Sequence, residues 1–130
     1  MNQALKNVSN IPLEIPRGYY VVCTLNTQAA YKIKIHVKDE NNQDLITPME
    51  RQSLQALPPI CKDFVMNSSE CKVFIDIPSS SNIDARMEQV DFTEVGNSLK
   101  VRTYLIIAED NGDRDYNDLF LTVTAFQKKG

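Results

Sequence analysis

The chain has 130 residues, of which 42% are hydrophobic and 24% are charged, and this is the size and composition of one globular domain with a substantial core. The formal net charge of -3 argues against nucleic acid as the default partner. No apolar run reaches the roughly 18 residues that a membrane-spanning helix needs, so we expect no membrane insertion. The polar N-terminus has no secretory signal pattern, so we expect cytoplasmic synthesis, with any release or surface display by a non-classical route.

Alternating apolar and polar residues predict β-strands along most of the chain. Clusters of turn residues separate these runs at 39–44, 78–82 and 94–97. Short strands with turns between them predict one all-β domain over residues 1–130, an antiparallel β-sandwich. The strand-like runs are GYYVVCTL (18–25), YKIKIHVK (31–38), CKVFIDI (71–77), SLKVRTYLIIA (98–108) and LFLTVTAF (119–126).

The segment TPMERQSLQAL, residues 47–57, is the one stretch with helical signals. Thr47 is a possible N-cap, Pro48 suits the first helical position and Glu50 would complete a capping box. The sequence therefore allows either one short helix near residues 47–57 or an irregular strand.

The three cysteines and the single histidine give no clear metal or redox motif. Cys23 and Cys71 lie in strand-like runs and are expected to be small buried hydrophobes. Cys61 and Cys71 flank a possible turn, so a disulfide bond between them in an oxidising setting stays open. His36 falls on the polar face of its strand. A single histidine without a pair of thiolates cannot supply the ligands of a typical zinc site, so we expect none.

The acidic segment EDNGDRDYND, residues 109–118, is the most unusual part of the chain. It holds five carboxylates, two asparagines and one glycine against a single Arg114. Asp113, Asp115 and Asn117 are spaced by two, so a loop can turn their oxygens inward, and apolar strands fix both ends of that loop. Calcium takes about 6–8 oxygen ligands, and this composition can supply most of such a shell.

Familiar calcium loops do not fit the acidic segment. An EF-hand loop beginning at Asp113 would need Gly at its sixth position and Glu at its twelfth, where the chain has Asp118 and Thr124. The glycine-rich nonapeptide repeat is excluded because Gly112 stands alone. A glycosidase needs two carboxylates across a cleft, whereas this chain groups its acids on one loop, so we expect no enzymatic activity. A solvated surface loop is the simplest alternative.

The stretch EDNGDRDYNDLFLTVTAF, followed by a chain end at Gly130, resembles the bacterial two-calcium fucose/mannose-binding lectins, the fucose-binding lectin II family. A weaker match runs from Ile15 to Val37. The resemblance implies a calcium-dependent lectin in which sugar hydroxyls coordinate two Ca²⁺ ions per subunit directly. It also implies fucose- or mannose-containing glycans as partners, and a homodimer or homotetramer as the assembly.

The resemblance implies roles for individual residues as well. Gly130 would reach the calcium site of a dimer partner through its terminal carboxylate. Because Thr27 carries a hydroxyl, we expect fucose to be preferred over mannose. The residues implied to bind calcium within a subunit are Asn26, Glu109, Asp113, Asp115, Asn117 and Asp118. Those implied to contact or select the sugar are Thr27, Gln28, Ala29 and Asp110.

Two other functions stay open on the residues alone. A β-sandwich whose acidic loop binds calcium only for structure would serve adhesion or assembly. A small metal-dependent hydrolase would turn over a glycoside. Asn26 and the short loop after it favour the lectin, because a structural calcium does not need a ligand and a selectivity loop there.

Overall fold

Two antiparallel β-sheets, packed face to face, form the protein. A computed structural model describes residues 2–6, 10–78, 83–110 and 118–127, and for residues 2–6 and 110 it describes the backbone alone. The prediction of an antiparallel β-sandwich is confirmed. The strands within the described ranges are β1 Asn2–Lys6, β2 Asn10–Leu13, β3 Tyr20–Thr27, β4 Ala29–Lys38, β5 Met49–Ser53, β6 Ile60–Val65, β7 Cys71–Asp76, β8 Ile83–Glu94, β9 Ser98–Asp110 and β10 Leu119–Phe126.

The larger sheet has six strands in the order β1-β8-β9-β10-β3-β6, and the smaller sheet has four in the order β2-β7-β4-β5. Every second side chain of a central strand points into the space between the sheets. On β3 the inward residues Val21, Cys23 and Leu25 are 0% exposed. Their register partners on β10 are the equally buried Ala125, Val123 and Leu121.

The smaller sheet closes the core from the other side. β4 and β7 pair with Ile35 opposite Ile75 and Val37 opposite Val73, and all four side chains are at most 1% exposed. Each such apolar side chain contributes roughly 1.5–3 kcal/mol through its burial. The alternation that predicted these strands is therefore also the pattern that builds the core.

Residues 49–53 form strand β5, so of the two possibilities left open for residues 47–57 the strand is confirmed and the short helix is not formed. Met49 is 1% exposed, and the strand pairs with β4 through Glu50 opposite Lys34. A helix cap contributes about 1 kcal/mol, which is less than the roughly 1.5–3 kcal/mol from burying a methionine side chain. Packing thus outweighs the local capping signals. In the described part of the chain, no helix has the length and apolar character to cross a membrane.

All three cysteines are free thiols, so the disulfide bond left open for Cys61 and Cys71 is not formed. Cys61 is exposed on β6, where its Sγ lies 3.8 Å from Thr24 Oγ1 on the outer face of the six-stranded sheet. Cys71 points into the core from the other sheet. The prediction that Cys23 and Cys71 are buried is confirmed, and burial raises the pKa of both thiols to about 12.

Candidate functional site

The hairpin of β9 and β10 flanks the acidic segment. β9 ends at Asp110, β10 begins at Leu119, and the register of the pair places Ala108 opposite Leu119. β3 borders β10 on the far side, with Thr27 opposite Leu119. Residues that are far apart in the sequence therefore meet at one end of the six-stranded sheet.

Four polar residues cross that end of the sheet in a row: Asp84, Glu109, Asp118 and Gln28. Asp84 on β8 lies opposite Glu109 on β9. Asp118 directly precedes β10, and its carbonyl accepts a hydrogen bond of 3.1 Å from the backbone N–H of Gln28. We call this row the acidic end of the sheet.

The carboxylate of Asp118 is held from the opposite sheet. The hydroxyl of Tyr31, on β4, donates a hydrogen bond of 2.6 Å to Asp118 Oδ2. In the sequence Tyr31 is only the first residue of the strand-like run at 31–38, and no motif links it to Asp118, which is 87 positions away. Such a donor fixes the direction in which the remaining carboxylate oxygen points.

Glu109 and Asp84 are both buried. Glu109 is 0% exposed and Asp84 is 7% exposed, which is unusual for carboxylates. Glu109 was expected at the site, whereas Asp84 was not. No motif surrounds Asp84 in the sequence, and only the pairing of β8 with β9 reveals its position.

The other expected residues from the first half of the chain lie beside the acidic end. Asn26 is half-buried on the outer face of β3, opposite Phe120. Thr27 ends β3 and Ala29 begins β4, so Gln28 is the single residue between these strands and the only exposed one of the three. Thr27 is 3% exposed, and within the described residues its Oγ1 has no hydrogen-bond partner.

Several expected site residues cannot be placed. Asp110 has a described backbone at the end of β9 but no described side chain. The remaining four lie outside the described residues: Asp113, Asp115, Asn117 and Gly130.

The donors at the acidic end are suited to calcium rather than to zinc. Carboxylate and amide oxygens, as in Glu109, Asp118 and Asn26, are the ligands that hard cations take. The buried Thr27 hydroxyl with no partner among the described atoms is a further polar group that a ligand could satisfy. Over the described ranges, no three His, Cys, Asp or Glu side chains converge as a complete metal site.

His36 lies away from the acidic end. Its Nδ1 is 3.3 Å from Asp44 Oδ1, in a surface contact between β4 and the turn after it.

Comparison with solved structures identifies the same sandwich in three bacterial lectins. The C-terminal domain of the lectin BC2L-C from Burkholderia cenocepacia superposes with a TM-score of 0.71 at 18% identity, over 92% of this chain and 97% of that one. The Chromobacterium violaceum lectin CV2L, solved with alpha-methyl-fucoside, gives 0.63 at 14% identity, over 89% and 94% of the two chains. The high-affinity mannose-binding lectin of Ralstonia solanacearum gives 0.61 at 18% identity, over 89% and 94%.

At these identities the structural likeness establishes the shared fold. No curated protein sequence is significantly similar to the chain. The sequence model of one protein family, the fucose-binding lectin II family (PA-IIL), matches residues 13–127. Because this match spans most of the chain, the protein belongs to the fucose-binding lectin II family.

Proposed function

We propose that the protein is a calcium-dependent lectin without catalytic activity, which binds fucose- or mannose-type monosaccharides. Family membership over residues 13–127 carries this proposal. The placement of Glu109 and Asp118 at the acidic end, with Asn26 nearby on the outer face of β3, supports it, because these residues come from separate segments of the chain. We also propose that residues 1–130 form a single lectin domain.

The proposed metal site takes its ligands from both sides of the acidic segment. Glu109 and Asp118 would provide carboxylates at the two ends, and Asn26 would add an amide oxygen from β3. Asp113, Asp115 and Asn117 would complete the protein shell. Two bound Ca²⁺ ions would supply coordination positions that neighbouring sugar hydroxyls fill in place of water.

The selectivity of the site is proposed to come from the residues around Gln28. The side chain of Gln28 is exposed, so it is free to contact a sugar, and the Thr27 hydroxyl is close by in sequence. A buried hydroxyl without a partner costs roughly 1–3 kcal/mol, which a bound ligand can offset. Asp110 would bond a sugar hydroxyl beside the metals, and Ala29 would limit the space. We expect fucose to bind more tightly than mannose.

We further propose that the protein self-associates through the outer face of the six-stranded sheet. Phe92 is 64% exposed and Leu105 is 41% exposed on this face, which extends to Asn26. Arg86 and Glu88 are two residues apart on this face. An antiparallel second copy could therefore place Arg86 of each copy opposite Glu88 of the other. Gly130 of that copy would reach the acidic end.

Sedimentation velocity tests the proposed self-association. It should give a dimer or tetramer, and a monomer at micromolar concentration would contradict this assembly.

A glycan array tests the proposed specificity. Labelled protein in calcium buffer should bind fucose-terminated glycans first and mannose-terminated glycans second, with weak binding to other termini. The same protein in a chelating buffer is the control. Strong binding only to glycans that lack both sugars would refute the specificity, and release of cleaved sugar from a soluble glycoside would refute the claim that the protein is not an enzyme.

A further inference from the structure

The loop between β5 and β6, residues 54–59 with the sequence LQALPP, has no part in the site described above. At its start, Ser53 on β5 lies opposite Ala29 on β4. After its end, Ile60 on β6 lies opposite Leu25 on β3. The loop therefore crosses from the edge of the four-stranded sheet to the edge of the six-stranded sheet, at the end where β3 passes into β4. We call it the apolar loop.

The apolar loop borders the acidic end of the sheet. Asn26, a proposed calcium ligand, is the first residue of β3 beyond the pairing of β3 with β6. Gln28 is the residue directly before β4, and its backbone N–H donates to the Asp118 carbonyl. Each end of the loop is thus one position along a paired strand from a residue of the proposed sugar site.

The side chains of the apolar loop are exposed although most of them are apolar. All six residues are exposed, and none carries a charge. Leu54 is 72% exposed and Leu57 is 41% exposed. Single exposed apolar residues are common on protein surfaces, whereas a group of them beside a binding site indicates a surface that a ligand covers.

Hydrogen bonds and two prolines hold the apolar loop in place. The backbone N–H of Gln55 donates to Ser53 Oγ at 3.0 Å. Gln52 Nε2 donates to the Ala30 carbonyl at 2.7 Å, which ties the end of β5 to β4. The two successive prolines at the end of the loop restrict the backbone further. A surface that is fixed before binding loses less entropy when a ligand packs on it.

We propose that the apolar loop is a subsite for the group linked to the calcium-bound sugar. It takes glycosides in which that group presents an apolar surface, such as the C–H face of the next sugar ring. Leu54 and Leu57 bury apolar area against this group, while the acidic end binds the hydroxyls of the first sugar through the metal. This inference rests on the proposed function and extends it from the monosaccharide to the group attached to it.

The test compares alpha-methyl-fucoside with alpha-phenyl-fucoside, in which the phenyl ring stands in for the apolar group. Both are titrated by calorimetry in calcium buffer. The wild-type protein should bind the phenyl glycoside about fivefold more tightly, because part of a leucine side chain is buried against the ring. Leu54→Ser should bring the ratio of the two Kd values close to one. Leu57→Ser should lower the ratio less, because Leu57 is less exposed.

Val95→Ser is the matched control. Val95 is fully exposed in the turn between β8 and β9, at the opposite end of β9 from Glu109. The substitution removes an exposed apolar side chain without touching the apolar loop, so the fivefold ratio should be retained.

Equal wild-type affinities for the two fucosides would overturn the inference, as would a preference that survives the combined replacement of Leu54 and Leu57 by serine. A smaller assembly of Leu54→Ser in sedimentation velocity, with an unchanged ratio, would also overturn it, because the loop would then contact a second copy of the chain. If the wild-type protein bound neither these fucosides nor the matching mannosides, the proposed function itself would be contradicted and the inference would fall with it.

Discussion

Tyr31 and Asp118 form the best-defined side-chain contact at the acidic end. The hydrogen bond of 2.6 Å joins a residue on the four-stranded sheet to a proposed calcium ligand next to the six-stranded sheet. Because the contact crosses the sandwich, it couples the ligand's orientation to the packing of the two sheets. A carboxylate held in this way has less freedom to lose when a cation binds.

Replacing Tyr31 with phenylalanine should weaken calcium binding while leaving the fold intact. The substitution removes only the hydroxyl that orients Asp118, so we expect the calcium Kd to rise about tenfold. Calorimetric titration of calcium measures the effect. Tyr19→Phe is the control, because the Tyr19 hydroxyl also donates a hydrogen bond, to the Leu99 carbonyl, but far from the acidic end. Equal calcium affinities in both variants would show that Tyr31 does not orient a ligand.

At the scale of single elements, the strands that could be predicted are those with clean alternation. β4, β7 and β10 bury every second side chain for most of their length, and the sequence runs at 31–38, 71–77 and 119–126 match them closely. β8 could not be predicted in this way, because it buries Asp84 and exposes Phe92. Packing against the core alone would give β8 a regular alternation of buried apolar and exposed polar residues. This strand departs from that pattern because it also carries Asp84 at the acidic end and Phe92 on the outer face of the sheet.

The β8–β9 hairpin is anchored by an ion pair that the sequence did not reveal. Arg102 donates from Nε and Nη2 to the two carboxylate oxygens of Asp91, each at 2.8 Å. Its Nη1 donates to the Glu14 carbonyl at 2.7 Å, and this ties the hairpin to the chain between β2 and β3. The hydrogen bonds from Arg102 lower the pKa of Asp91 in the folded protein.

Asp91→Asn should lower Tm by about 3 °C at pH 7, a modest loss because the pair is partly exposed to solvent. The folded pKa of Asp91 is lowered, so its contribution is complete at neutral pH. The difference from wild type should begin to shrink below the ordinary aspartate pKa of about 3.9. It should vanish as the pH falls through the lowered pKa.

Thermal denaturation followed by circular dichroism from pH 7 to pH 2 measures this dependence. Asp76→Asn, at an exposed position on β7, is the control and should show no such change. A difference for Asp91→Asn that stayed constant over this range would contradict the role of the charged pair.

At the scale of the whole molecule, the composition of residues 109–118 predicted calcium binding, but only the strand order explains how separate segments of the chain come together near the acidic end. Asn26 is more than 80 positions from Glu109, yet β3 and β9 both flank β10. Tyr31 and Asp84 could not be predicted as neighbours of the acidic segment, because no motif marks either residue. Strand pairing and sheet packing, which depend on the entire chain, bring them there.

Calorimetric titration of alpha-methyl-fucoside tests the central claim most directly, that sugar binds through calcium at the acidic end. The protein is titrated with calcium present, after chelation, and again after calcium is restored. We expect saturable binding in the first state, no detectable heat of binding in the second and full recovery in the third, because the coordination positions for the hydroxyls depend on the metal. Binding that survived complete removal of calcium would contradict the claim.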